Sequence, residues 1–306
     1  MTTMVDVLPW RMFAVRVART AFLSPSVLRL TFTGDDLDEF ADNGLDQRIK
    51  FFLPLPGVPY DELLAVGRAG DWFGGYRAIP PERRHPMRTY TARGVRPAVR
   101  ELDVDIVLHG DLGPASRWAS AAVPGDELVL FGPNALADGP HGGVDFVPPQ
   151  HVDRLLLAGD ETALPAIAGI LERLPADAVG EALLEMPLSA DVIPLVAPAG
   201  VVVRFLGRDG RPHGSLLVPA VQEACARLLP CAGEGVEPED AGDLLWEVPV
   251  DEAGAPLRSW VGFYAWLAGE ANVIKTLRRH LVRECGVDRK AVAFMGYWKS
   301  GRSEGE

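Results

Sequence analysis

Residues 155–167, LLLAGDETALPAI, decide how the second half of this chain is read. Three leucines open a buried strand, Gly159 breaks it, and the residues beyond enter a helix. Nucleotide-binding folds usually keep glycines at such a corner so that a phosphate can reach the helix N-terminus. Here Gly159 is followed by Asp160 and Glu161, whose carboxylates repel a phosphate. Asp160 can instead accept the helix's own N–H groups, and acids in the first turn suit its dipole, a combination worth about 1 kcal/mol. The corner is expected to be a self-capped helix start, its anion site already filled by side-chain oxygens.

The pattern continues on either side. RLLLAG (154–159), GEALLEM (180–186), VVVRFLG (201–207), WVGFYAWLAG (260–269) and AVAFMGYW (291–298) are near-continuous apolar runs. Most are separated by helical stretches, as in a parallel sheet covered on both faces. The first half differs. FAVRVART (13–20), SVLRLTFT (26–33), RIKFFLP (48–54), RTYTARGV (88–95), ELDVDIVLH (101–109) and DELVLFG (126–132) alternate over short segments punctuated by Gly, Pro and Asp. Such segments predict a closed antiparallel β-barrel. The Gly- and Pro-dense stretch 133–150 connects the halves, and the expected division is a barrel domain over 1–140, a linker over 141–151 and a parallel-sheet α/β domain over 152–306. Residues 55–86 form an irregular connection inside the barrel, of a length more often functional or mobile than idle. Residues 230–258 read as an acidic insertion with one strand at LLWEVPV (244–250).

At 306 residues, 48% hydrophobic and 24% charged, the chain is long enough for two cores. No stretch approaches the roughly 20 apolar residues that span a bilayer, and the first residues lack the apolar run of a signal peptide. A soluble, cytoplasmic protein with no membrane partner is expected. The net charge of −12 opposes a nucleic-acid or anionic-membrane surface, since both need a basic footprint. An anionic small ligand is still allowed, because screening over roughly 8 Å lets a local basic cluster act by itself. Cys225, Cys231 and Cys285 form no Cys-x-x-Cys pair and cannot hold a four-cysteine iron–sulfur cluster. No metal site is expected, and redox chemistry would come from an organic cofactor.

Two stretches carry chemistry suited to such a cofactor. On a strand, Arg88 and Tyr90 of RTYTAR project to one face while Thr89 and Thr91 take the other. A guanidinium fork and a neighbouring aromatic surface suit a ligand with a flat ring and a phosphate tail. In HGDLGPASRWA (109–119), Gly113, Pro114, Ala115 and Ser116 prepare a helix start with small residues, leaving backbone N–H groups and the Ser116 hydroxyl open to an anion. Each stretch alone is structurally ordinary.

RTYTAR, HGDLGPASRWA, AGDETALPAI, LAGEA, LRRHL and GYWKSG, in this order and at these spacings, resemble the siderophore-interacting proteins, flavin-dependent reductases of ferric chelates within the ferredoxin-reductase-like superfamily. The resemblance implies that Arg88 pairs with the flavin phosphates and Tyr90 packs along the isoalloxazine or ribityl part. Thr91 would lie near the redox-active edge, with Thr89 and His109 beside the cofactor. The turn from Gly113 to Ser116 would receive a pyrophosphate, implying FAD and not FMN. A nicotinamide donor, NADPH or NADH, would dock over the strand ends of the second domain, at Asp160, Glu161 and Thr162 and at Gly269 and Glu270. Around the end of a later strand stand Arg204, Arg208 and Arg211, with Arg208 the candidate for the adenosine-side phosphates.

Ferric chelates of catecholate or hydroxamate ligands are commonly anionic, so cations are expected near the flavin edge. Lys299 and Arg302 of GYWKSGR and Lys50 of QRIKFF would supply them, with Tyr297 and Trp298 sheltering the ring or touching the chelate. Lys275, Arg278, Arg279 and Arg283 read instead as the solvated face of a helix. No side-chain acid or base is obligatory, because the cofactor supplies the chemistry and the protein supplies orientation and electrostatics. The iron belongs to the ferric siderophore substrate and needs no protein ligand. A general NAD(P)H:flavin reductase and a non-catalytic iron-chelate binding protein are the alternatives, and a donor such as ferredoxin is another source of electrons.

Overall fold

The computed structural model describes residues 7–68, 70–108, 113–229, 246–252, 254–257 and 260–301. The chain divides into two compact units, residues 1–23 with 27–143 and residues 24–26 with 144–306. No helix among the described residues is long and apolar enough to cross a membrane.

In the first unit β1 (Trp10–Ser24), β2 (Val27–Thr33), β3 (Arg48–Phe52), β4 (Met87–Thr91), β5 (Gly94–Arg96), β6 (Glu101–Val107) and β7 (Glu127–Pro133) form one antiparallel sheet in the order β4-β3-β7-β1-β2-β6-β5. Its two edges are consecutive pieces of the same run. β4 pairs with β3, and after Ala92 and Arg93 the chain pairs with β6 as β5, Arg93 N–H donating to Asp103 O at 2.9 Å. The expected barrel therefore curls shut at a bend inside RTYTARGV, not through a ladder between two separate edge strands. Phe13, Phe32, Ile49, Phe51, Val104 and Leu130 fill its interior.

The opposite face of β3 and β7, with Phe52, Val129 and Phe131, is covered by α1 (Asp61–Val66) and α2 (Trp72–Ala78). These helices lie in the connection expected to be irregular. Leu63, Tyr76 and Ile79 give that segment an apolar face, which orders it against the sheet. Next along the chain, α3 (Pro114–Ala121) packs on β6.

The second unit contains β8 (His151–Val152), β9 (Leu155–Asp160), α4 (Leu164–Arg173), β10 (Val179–Met186), β11 (Gly200–Gly207), α5 (Leu217–Leu228), β12 (Trp246–Glu247), β13 (Trp260–Val261), β14 (Tyr264–Glu270), α6 (Ala271–Arg279) and β15 (Val292–Trp298). β8 and β13 pair with each other, and the remaining strands form a sheet in the order β11-β10-β9-β14-β15-β12. All neighbours are parallel except β12, which runs antiparallel to β15. β12 is the described part of the strand expected at LLWEVPV; residues 230–245 of the insertion lie outside the described residues.

Leu156, Ala158, Leu183 and Leu267 pack under α5 and α6. Their alternates Leu157, Leu184 and Trp266 are equally buried, so both faces are covered, as continuous apolar strands require. The direction of strand progression reverses between β9 and β14. Their carboxyl ends form the switch point at which open sheets of this kind bind ligands.

Candidate functional site

In the first unit, β4 places Arg88, Thr89, Tyr90 and Thr91 opposite Phe51, Lys50, Ile49 and Arg48. Opposed residues share a face of a sheet, so Arg88 and Tyr90 lie on the side of Phe51 and Ile49, and Thr89 lies on the side of Lys50. The Tyr90 ring packs on Phe51 with centroids 4.7 Å apart, and Thr91 is buried. Lys50 Nζ donates to Thr89 Oγ1. Together with Trp10, Trp72 and Phe131, Lys50 lines a hollow of about 350 Å³. The structure thus places Lys50 on the face away from Arg88 and Tyr90, although the family resemblance had grouped it with the flavin edge.

The helix start expected to seat a pyrophosphate is built from small residues. Gly113 precedes α3 with extended backbone and, as glycine, offers no capping side chain of its own, while Pro114 occupies the first turn. Among the described residues, a Cβ built at Gly113 would meet nothing within 4 Å, and Ala115 is small and buried. These residues fit an anion approaching the N–H groups of the first turn. The Ser116 hydroxyl, expected to face that anion, instead donates to Val107 O at 3.3 Å. Both β4 and α3 pack on β6. His109 lies outside the described residues.

In the second unit, three neighbouring strands present buried carboxylates near their carboxyl ends: Glu185 on β10, Asp160 on β9 and Glu270 on β14. Asp160 Oδ1 accepts the Thr162 N–H at 2.9 Å and the Thr162 hydroxyl, which is the self-capping that the sequence predicts. Its Oδ2 accepts the Glu270 N–H at 2.8 Å and the Trp298 Nε1–H at 2.9 Å, tying β9 to β14 and β15. Glu270 in turn caps α6, accepting from Asn272 and Val273 N–H at 2.7 and 3.0 Å. Glu185 accepts from Gly214, Leu216 and Leu217 N–H at 2.8, 2.9 and 2.9 Å at the start of α5. Side-chain oxygens thus occupy the positions a phosphate would take at these helix starts.

Sequence reading did not single out Glu185. The signal was present as an acid inside the apolar run GEALLEM, where an unpaired carboxylate is costly.

Burial, followed by the neighbouring Glu161 carboxylate, pushes Asp160 up to about 7 against the pull of its donors. Glu161 itself is fully buried and is held by the Arg208 guanidinium through two bonds of 2.6 and 2.8 Å, with Glu185 3.5 Å from the same guanidinium. Arg208, the candidate for adenosine-side phosphates, is therefore turned inward, where it neutralises carboxylates that burial would otherwise destabilise. Gly269 has φ +149°, and a Cβ there would sit 2.6 Å from Asp160 Oδ2, so glycine is what permits this carboxylate to close on β14.

The aromatic pair of GYWKSG divides between two faces. Trp298 bonds to Asp160 and meets the His213 ring edge-on at 4.8 Å. Tyr297 stacks on Trp246 at 5.7 Å and meets Trp266 edge-on at 6.2 Å. Both rings expected at the chelate have packing partners within the unit. Lys299 follows them, half-buried, and Arg302 lies outside the described residues. A second hollow, of about 390 Å³, is lined by His213, Ser215, Glu270, Asn272 and Thr276. The sequence shows no paired metal-ligand spacing, yet the fold brings the donor atoms of Cys225, His280 and Cys285 within 4.8 Å of one another.

Residues 16–137 match the family described as Siderophore-interacting FAD-binding domain, and residues 152–301 the family described as Siderophore-interacting protein. The Ferric vibriobactin reductase ViuB of Vibrio cholerae is 30% identical over 94% of this chain and 89% of its own length. An uncharacterised protein of Mycobacterium tuberculosis is 35% identical over 95% of this chain and 91% of its own. Among solved structures, the siderophore-interacting protein SipS from Aeromonas hydrophila matches with a TM-score of 0.66 and 31% identity, covering 96% of this chain and 94% of that one. A siderophore utilization protein from T. fusca matches with a TM-score of 0.70 and 27% identity, covering 99% and 98%. The ferredoxin reductase of carbazole 1,9a-dioxygenase, at 16% identity and a TM-score of 0.60 over 96% of this chain and 71% of that one, shares the fold.

Proposed function

The chain belongs to the siderophore-interacting proteins, with an N-terminal FAD-binding domain, and from that premise we propose that it is a reductase carrying electrons from NADPH or NADH through FAD to the Fe(III) of a ferric siderophore, with release of Fe(II) in the cytoplasm. The observation that carries the flavin part is the start of α3, where extended Gly113 and Pro114 lead into the first turn and, among the described residues, a Cβ at Gly113 would meet nothing within 4 Å. In this reading the first-turn N–H groups of α3 take the pyrophosphate, and Arg88 adds a charged fork for its oxygens. Tyr90, braced by Phe51, offers an aromatic surface to the ring system. When bound, FAD supplies the conversion of a two-electron donor into the single electrons that Fe(III) accepts.

The remaining roles belong to this chain's charges. Lys299 and Arg302 attract the anionic chelate. Reduction to Fe(II) lowers the charge that holds hard oxygen ligands and loosens the complex. At the carboxyl ends of β9 and β14, Asp160, Thr162 and Glu270 would face the neutral nicotinamide and ribose hydroxyls of the dinucleotide. Exposed Arg211 would serve as the cation for its phosphates.

The filled helix starts favour one further reading, in which the electrons come from a protein donor such as ferredoxin that needs no phosphate seat. One anaerobic experiment separates these readings. Purified protein carrying FAD is mixed with NADPH or NADH and its absorbance followed, and ferric siderophore is then added with an Fe(II)-trapping chelator. Bleaching, then reoxidation with trapped Fe(II), is the expected result. Failure of both nucleotides, with bleaching by reduced ferredoxin, overturns the nucleotide part alone. Reduced flavin that leaves the ferric siderophore untouched overturns the reductase reading.

A further inference from the structure

We propose that Cys225, His280 and Cys285 form a zinc-binding site in the second unit, separate from the carboxyl ends of the sheet. Its geometry begins with a defect in a helix. α6 runs on through Arg279 into a π turn over His280–Glu284. In a regular α-helix, residues five apart stand about 140° apart around the axis and cannot share a ligand. The wider turn is closed by the Cys285 N–H donating to His280 O at 2.9 Å, and it brings Cys285 Sγ to 3.3 Å from His280 Nε2. π turns within helices are uncommon and are found frequently at functional sites.

α5 packs beside α6 and contributes the second sulfur, so that all the donor atoms lie within 4.8 Å of one another. A tetrahedral zinc, with Zn–S about 2.3 Å and Zn–N about 2.0–2.1 Å, spaces its ligands roughly 3.3–3.8 Å apart. The 3.3 Å between Cys285 Sγ and His280 Nε2 falls at that spacing, and side-chain rotation within the 4.8 Å cluster would bring in the Cys225 sulfur.

The histidine is also held for ligation. Its Nδ1 lies 2.7 Å from Glu284 Oε2, so with Nδ1–H donating to the carboxylate the Nε2 lone pair faces the sulfurs. Metal-bound imidazoles are commonly oriented by such a carboxylate. Cys225 is 1% exposed and seals the inner side. The His280 side chain is 14% exposed and Cys285 is partly exposed, which leaves a path for the ion and for water as a fourth ligand. Two thiolates and an imidazole select a soft divalent ion such as Zn(II) over Mg(II) or Ca(II). Binding displaces the thiol protons to solvent and changes no oxidation state.

The test uses the full chain, reduced and metal-free, titrated anaerobically with Co(II) and read as difference spectra. Saturation at one equivalent is expected, with a thiolate-to-cobalt charge-transfer band and tetrahedral d–d bands, both displaced by Zn(II). Zinc affinity is then measured by competition with a chromophoric chelator. Cys285→Ser should abolish the charge-transfer band or sharply reduce it. Glu284→Gln, at a solvent-exposed carboxylate, should keep the fold and weaken zinc binding by about 10–100-fold. Absence of a thiolate band at saturating cobalt overturns the proposal. So does a zinc affinity that is equal in the unaltered chain, Cys285→Ser and Glu284→Gln.

Discussion

At the scale of single residues, Asp160 shows how one side chain can be pulled in two directions. Its donors, from Thr162, Glu270 and Trp298, favour the anion, while burial and the adjoining Glu161 carboxylate favour the acid. Burial prevails, and the group rises from its usual 3.8 to about 7. Between these values the folded chain retains a proton that the unfolded chain has lost. The stabilisation from that proton is complete below the unfolded value and disappears as pH rises through the folded one. We therefore expect the urea-derived unfolding free energy of the second unit to fall from pH 4 to pH 8 more steeply than in Asp160→Asn, by an amount on the order of a few kcal/mol. Parallel pH profiles for the two proteins would contradict this account.

At the scale of elements, the carboxyl ends of β9, β10 and β11 are joined by charge. Arg208, just past β11, pairs with Glu161 after β9 and approaches Glu185 on β10. Arg208→Gln leaves these buried carboxylates without their cation and should cost about 3–5 kcal/mol, read from the denaturant midpoint and slope. A loss within experimental error would mean that the carboxylates find other partners.

The principal strands were legible in the sequence, whereas α1 and α2 were not, because their segment read as an irregular connection. Alternation marked the first-unit strands, and continuous apolar runs marked β9, β10, β11, β14 and β15. The roles of their charges were less legible. Arg208 read as a phosphate-binding arginine, and Arg278 as part of a solvated helix face. In the fold Arg278 lies over Phe294 at 5.9 Å and bonds to Glu247 at 3.0 and 3.2 Å. Neither partner is within reach along the sequence. Glu247 arrives only because β12 adds to the sheet edge beside β15.

At the scale of the whole molecule, each unit has its own apolar core, so a ligand confined to one unit should stabilise that unit selectively. FAD at about 100 times its dissociation constant adds roughly 2.7 kcal/mol to the unit that binds it. Calorimetry is expected to show FAD raising the transition assigned to the first unit, and Arg88→Ala should diminish that rise. A rise confined to the other transition would place the flavin elsewhere.

The sequence by itself determined the fold class, the capped corner at Asp160 and the glycine and proline turn before α3, because each follows from local periodicity or from neighbouring residues. Tertiary structure alone decided that Lys50 and Tyr90 face opposite sides of a sheet and that Arg208 turns inward. It also decided that Cys225 meets His280 and Cys285. Those outcomes depend on strand order, register and helix packing, which bring together groups that local pattern leaves unrelated.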